Sequence, residues 1–290
     1  MTDLLEPFQF EFFRNGLAVA TIAGGLCGLI GVFVVLRGMS FIGHGLSHAI
    51  FGGFAASTLL GVNLLLGAGA WGVASALMIN RVTRRGEIRA DAAIGVITTA
   101  SFALGLALFA LFGGVGRGFD AALFGSILGV SAGDVVTISL VALGALAVVL
   151  LRYRALLFTT FDPEVANVSG VNTARVDALL MVVLAAAILA TMQVLGVTLV
   201  AAVLIIPATV ARMLTASFAR MLWLATAIGA ACGFVGMNLS YQLDVQSGPT
   251  IVLVGAALFA LVFAARAQLS VASPMRQRWI SVRSSNPSRA

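Results

Sequence analysis

The feature that most constrains this chain is a succession of apolar runs, each nearly free of charge. A run of about 20 apolar residues can cross the hydrocarbon core of a bilayer as one α-helix, which pairs every backbone N–H and C=O internally. Only 10% of the residues are charged, against about 25% in soluble domains. We therefore predict an all-α, polytopic membrane protein, and we exclude a soluble enzyme, a disordered chain and a secreted disulfide scaffold.

The apolar runs predict eight or nine transmembrane helices. They cover residues 15–36, 42–61, 62–80, 91–113, 132–151, 176–195, 196–212, 220–240 and 249–268. The run at 196–212 is short and contains Pro207, which predicts a kink or a helix end. The runs form one transmembrane domain over residues 15–268. Residues 1–14 precede it, and residues 269–290 form a tail rich in Ser, Arg and Pro that is predicted to be disordered.

Arginine predicts the orientation in the membrane. All 17 basic residues are arginine, and most lie between the apolar runs, where positive charge marks the cytoplasmic side. Arginine-rich segments predicted to be cytoplasmic are residues 81–89, 152–175, 212–220 and 266–289. Segments 114–131 and 241–248 contain a single arginine, Arg117, and are predicted to lie outside. With nine spans, the N-terminal segment 1–14 is extracytoplasmic and the chain is a multi-pass membrane protein.

The arginine excess serves membrane topology, so we do not expect a nucleic-acid partner. The sequence contains no lysine, which excludes a Walker A loop because that loop needs a lysine at the nucleotide phosphates. The chain is therefore not expected to hydrolyse ATP. Cys27 and Cys232 lie far apart within apolar runs and are predicted to be buried thiols, not metal ligands.

The chain has only two histidines, His44 and His48, and they are four residues apart. On a helix these positions lie on one face, about 6 Å apart along the axis, so the two imidazoles can chelate one metal ion. The alternative is a structural pair, with one histidine at the membrane interface and the other bonded to a backbone carbonyl. Since ionisable residues inside a membrane are costly, we favour a metal site. A symmetric dimer would supply the four ligands of a tetrahedral ion.

Two other functions are weighed and not favoured. An intramembrane metalloenzyme needs a general base near the metal, and no Asp or Glu lies within a turn of His44 or His48. A secondary transporter needs several carboxylates inside the membrane, whereas Asp91, Asp134 and Asp177 all lie at predicted span ends.

A separate short helix is predicted to begin at Asp162, because Asp162 can cap it, Pro163 suits its first turn and Glu164 favours its positive end.

Five motifs in this order and spacing resemble the ABC-3 family, the membrane permease subunits of ATP-binding-cassette importers for manganese, zinc and iron. The resemblance covers roughly residues 10–270. The motifs are VLRGMS at 35–40 with LSHA at 46–49, DAAIG at 91–95 with FALG at 102–105, FDPEVA at 161–166 with Gly170, GVTLV at 196–200 with LIIPA at 204–208, and LSYQLD at 239–244 with SGPT at 247–250.

The resemblance implies a type II importer-like permease with no catalytic residues and no resident cofactor. Its implied partners are a second copy of the chain, cytoplasmic ABC ATPases, an extracytoplasmic metal-binding protein and membrane lipid. His48 corresponds to the family's intramembrane metal contact. Asp162, Pro163 and Glu164 correspond to a coupling helix that docks on the ATPase.

One position departs from the family pattern, in which aspartate usually stands where this chain has His44. The change replaces a carboxylate oxygen by an imidazole nitrogen. Imidazole suits zinc, whereas carboxylate suits manganese. We therefore predict zinc as the transported metal, with manganese or iron as the alternative.

Overall fold

The computed structural model of the chain describes residues 6–86, 88–112 and 129–272, which form a bundle of α-helices. A short 3-10 helix at Glu6–Gln9 precedes them. The α-helices are α1 (Glu11–Leu36), α2 (Phe41–Leu60), α3 (Leu64–Arg84), α4 (Ala90–Phe112), α5 (Ala132–Leu151), α6 (Tyr153–Phe161), α7 (Pro163–Val168), α8 (Thr173–Leu195), α9 (Val200–Leu214), α10 (Phe218–Leu243) and α11 (Ser247–Ala272).

Each of the nine apolar runs coincides with one helix, which confirms the all-α membrane fold. Seven helices are long and apolar enough to cross a bilayer, namely α1, α3, α4, α5, α8, α10 and α11. The helix α2 is not one of the seven, although the structure describes its whole length, and α9 is apolar but shorter. Helix α2 contains both histidines within an otherwise largely apolar sequence.

Helix α1 forms the centre of the bundle and makes its closest contact with α10. Gly24 and Gly28 of α1 lie against Gly229 and Ala225 of α10, so the two backbones meet without side chains between them. Small residues permit this approach in a membrane, where lipid is as apolar as any side chain. A β-carbon at Gly28 would overlap the carbonyl oxygen of Ala225.

We therefore expect Gly28→Ala to destabilise the protein by about 1–3 kcal/mol, the usual scale of overpacking. Thermal unfolding of the detergent-solubilised protein, followed by the loss of its monodisperse elution peak, measures the effect. Gly144→Ala in α5 is the matched control, because a β-carbon there meets open space. Equal unfolding temperatures for the two variants would contradict the backbone contact.

Helices α2, α3 and α4 pack together on one side of α1. Gly61 ends α2 in the left-handed conformation, with φ of 64°, and Asn63 caps α3 by accepting a hydrogen bond from the Leu66 N–H at 3.2 Å. Ser101 of α4 forms hydrogen bonds to both other helices. Its hydroxyl accepts from the Trp71 indole N–H of α3 at 2.6 Å and donates to the Ala49 carbonyl of α2 at 3.1 Å.

The structure differs from the sequence prediction in two places. Pro207 lies inside α9, which continues to Leu214, so the helix end, one of the two outcomes predicted for Pro207, is excluded. Residues 153–161, predicted as part of a loop, form α6, which Arg152 separates from α5; the stretch after Arg154 is again largely apolar. Most of the predicted external loop 114–131, including Arg117, and most of the tail 269–290 lie outside the described residues; α11 itself reaches Ala272.

Candidate metal site

The two histidine side chains converge as their spacing predicts. His44 and His48 lie on successive turns of α2, and their Nε2 atoms are 3.1 Å apart, with ring centroids 4.4 Å apart. Two metal–nitrogen bonds of about 2.0–2.1 Å at a tetrahedral angle would place the nitrogens about 3.3 Å apart. The pair is thus arranged to bind one ion through both Nε2 atoms. The same distance also allows one imidazole N–H to donate to the other ring.

The histidine helix is fixed from its buried side. The hydroxyl of Ser47 is buried and lies 2.8 Å from the carbonyl oxygens of His44 and Val197, within donating distance of both. Val197 belongs to the turn between α8 and α9, so this hydroxyl ties α2 to the centre of the bundle. The ring of Phe102 packs edge-on against His48, with centroids 4.5 Å apart. His44 is exposed and His48 is half-buried.

The imidazoles lie on the wall of a cavity of about 500 Å³ between α2 and α4. Its lining comes from the first turns of α2 and from three turns of α4: Phe41, His44, Gly45 and His48 on one side, and Asp91, Ile94, Gly95, Thr98, Thr99 and Phe102 on the other. A β-carbon at Gly45 would overlap the side chains of Ile94 and Thr98. Glycine at this position therefore allows α4 to approach the histidine face.

Asp91 lines the histidine cavity, which the sequence does not predict. The sequence indicates only a carboxylate at the end of a span, whereas the structure puts Asp91 in the first turn of α4 on the cavity wall. Among the described residues, no three His, Cys, Asp or Glu side chains are close enough to hold one ion. Asp91 therefore supplies negative charge to the cavity without joining the imidazole pair. Only its motif DAAIG, shared with the family, could have pointed to it.

The other predicted site residues lie away from the histidines, at a short surface helix. Asp162 caps α7 by accepting a hydrogen bond from the Val165 N–H at 2.9 Å, and Pro163 and Glu164 form the first turn. The residues thus start a helix as the sequence predicts. Within α7, Ala166 is fully buried, whereas Val168 is 91% exposed. One side of this helix therefore packs on the protein and the other is open to a partner.

Comparison with known proteins places these features in a family. The model of the ABC 3 transport family matches residues 9–266. The manganese transport system membrane protein MntC of Halalkalibacterium halodurans is 37% identical over 258 residues, or 89% of this chain and 88% of that protein. A protein of Haemophilus influenzae named as a probable iron transport system membrane protein is 35% identical over 261 residues, or 90% and 96% of the two chains.

The fold is also similar to that of a solved structure, PsaBC from Streptococcus pneumoniae in complex with Fab. The TM-score is 0.80 at 32% sequence identity, over 90% of this chain and 94% of that chain. The family match spans nearly all of the helical bundle, from before α1 into α11. This chain is therefore a multi-pass bacterial membrane protein that belongs to the ABC-3 family, the membrane permease subunits of ABC transporters.

Proposed function

We propose that this chain is the permease subunit of an ABC importer that carries a divalent transition metal into the cell, with zinc as its main cargo. The observation that carries the proposal is the pair of imidazole Nε2 atoms, 3.1 Å apart on the wall of a cavity that also contains Asp91. Cargo must be released, so the site binds the ion only in transit. ATP hydrolysis belongs to separate cytoplasmic subunits, because the chain has no lysine for a Walker A loop.

A second copy of the chain would complete the pathway. Two imidazoles fill only half of a tetrahedral zinc site. His44 is exposed, so donors from a facing copy can reach the ion. An extracytoplasmic metal-binding protein would deliver the ion to this dimer, and α7, which begins after Asp162, would dock on the ATPase.

The donor chemistry supports zinc, and the relatives support manganese as the second candidate. Imidazole nitrogen suits zinc, whereas carboxylate oxygen suits manganese. The MntC relative is named for manganese transport, and Asp91 is a carboxylate on the same cavity wall. Zinc is therefore expected if His44 determines which ion is carried, and manganese is expected if Asp91 does.

Uptake by proteoliposomes that contain the permease, its ATPase and its binding protein tests the choice. We expect the wild type to import zinc in preference to manganese. His44→Asp should lower the zinc-to-manganese uptake ratio by about tenfold while import continues, since changes around a metal site commonly alter affinity on this scale. Retention of the wild-type ratio in His44→Asp would remove the case for zinc.

A control separates ligand chemistry from simple charge. Thr99 lines the same cavity on α4, so Thr99→Asp adds a carboxylate without removing an imidazole. We expect this variant to keep the preference for zinc. The same fall in the ratio for both variants would mean that the charge of the cavity, and not the ligand at position 44, selects the metal.

A further inference from the structure

Three charged side chains from separate helices meet at one point in the bundle. Asp177, near the start of α8, binds Arg37 and Arg84, each through Nη1 at 2.6 Å from a different carboxylate oxygen. Both ion pairs that the structure records among the described residues therefore use this one carboxylate. The side chains of Arg37 and Asp177 are 11% and 16% exposed, so salt screens their interaction less than it would at the surface.

Hydrogen bonds extend this cluster to the short helices α6 and α7. Arg84 Nη2 donates to the Thr173 hydroxyl at 3.3 Å, and that hydroxyl donates to Asn167 Oδ1 of α7 at 3.0 Å. Arg37 Nε donates to the Thr160 hydroxyl of α6 at 3.2 Å. A continuous set of polar contacts thus links α7 to the ends of α1 and α3. We call these six residues the Asp177 cluster.

The Asp177 cluster contains one arginine shortly before each of the two helices that line the cavity. Arg37 directly follows α1, and α2 with its histidines begins shortly afterwards at Phe41. Arg84 is the last residue of α3, and α4 with Asp91 begins at Ala90. Any shift of Arg37 relative to Arg84 therefore changes how the first turns of α2 and α4 face each other. Those turns carry His44, His48 and Asp91.

The arrangement seen here leaves one strong donor unused. Arg37 Nη2 is buried and has no hydrogen-bond partner among the described residues. A buried donor without a partner costs free energy. A movement of the helix ends that gave this donor a partner would recover that free energy, and such a gain favours an element with two arrangements.

We propose that Asp177 is a positioning residue for transport, which transmits movement of α7 to the cavity between α2 and α4 through Arg37 and Arg84. The inference rests on the proposed function, because it takes α7 as the contact with the ATPase. In this mechanism Asp177 does not touch the metal. It keeps the ends of α1 and α3 together, so that displacement of α7 changes the geometry of the imidazole pair.

The test compares ATP hydrolysis and metal uptake in the same proteoliposomes. Asp177→Asn removes the charge and keeps the shape. We expect this variant to retain its ATPase on purification and to hydrolyse ATP at close to the wild-type rate. Metal imported per ATP should fall by about tenfold, the scale of typical coupling between sites. Asp177→Glu, which restores the charge, should recover most of the coupling.

Asp134→Asn is the matched control, because among the described residues Asp134 bonds only to Ser131 in the cap of its own helix α5. An unchanged metal-to-ATP ratio in Asp177→Asn, or an equal fall in Asp134→Asn, would overturn the proposal. If Asp177→Asn fails to assemble, Arg84→Gln and Thr173→Val are tested in its place. A wild-type ratio of metal imported per ATP in both of these variants would also overturn the proposal. A wild-type complex that imports neither zinc nor manganese would instead contradict the proposed function.

Discussion

Replacing His48 by alanine is expected to abolish metal uptake. The variant removes one of two Nε2 atoms that lie 3.1 Å apart, and a single imidazole cannot chelate. Losing even an indirect partner of a metal ligand costs about 10–100-fold, so loss of a direct contact should lower uptake by at least about a hundredfold. Initial rates of zinc and manganese uptake in proteoliposomes measure the effect.

Thr58→Ala provides the control on the same helix. Thr58 is exposed, and within the part of the chain that the structure describes its hydroxyl bonds only to the Phe54 carbonyl of α2, at 2.9 Å. We expect this variant to import metal like the wild type. If His48→Ala also imports both metals at the wild-type rate, the imidazole pair is structural and the pathway lies elsewhere.

Removal of α7 is expected to uncouple ATP hydrolysis from uptake. Deleting residues 162–170 takes away the helix that begins after Asp162, together with the exposed Val168. Val168→Asp is a milder version that leaves the buried Ala166 in place. In both variants the chain should still insert in the membrane, but the ATPase should no longer co-purify and uptake should fall to background.

Val245→Asp is the matched control for this surface. Val245 is 51% exposed in the connection between α10 and α11, which the arginine pattern predicts to lie outside the cell. The same substitution there should leave association with the ATPase intact. Co-purification of the ATPase with the deletion variant would show that it binds a different part of the permease.

The sequence predicts the helices well because membrane helices are determined locally. A run of apolar residues must form a helix in lipid to pair its backbone groups, and this rule locates every long helix described. The glycine-rich helix α1 packs closely against α10 at Gly24 and Gly28. Asp162 and Pro163 likewise mark the start of α7, since capping depends on adjacent residues.

Contacts between distant parts of the chain could not be predicted in this way. Asp91 and Asp177 both read as polar residues at span ends. The structure places the first on the histidine cavity and the second between Arg37 and Arg84. These roles depend on which helix ends lie next to each other in the folded bundle. The hydropathy pattern of the sequence does not predict which helices are neighbours. His44 and His48 are the exception, because four residues on one helix bring them together without any tertiary contact.

The two histidines of α2 have a consequence for how the protein is made. Ionisable side chains inside a membrane are costly, and α2 is not among the seven helices that qualify as membrane spans by themselves. The tight turn at Gly61–Asn63 joins α2 to α3, and Ser101 later fastens both to α4. We therefore expect α2 to enter the membrane together with α3, as one half of a helical hairpin. The placement of His44 and His48 in the membrane would then depend on α3 and α4 as well as on α2 itself.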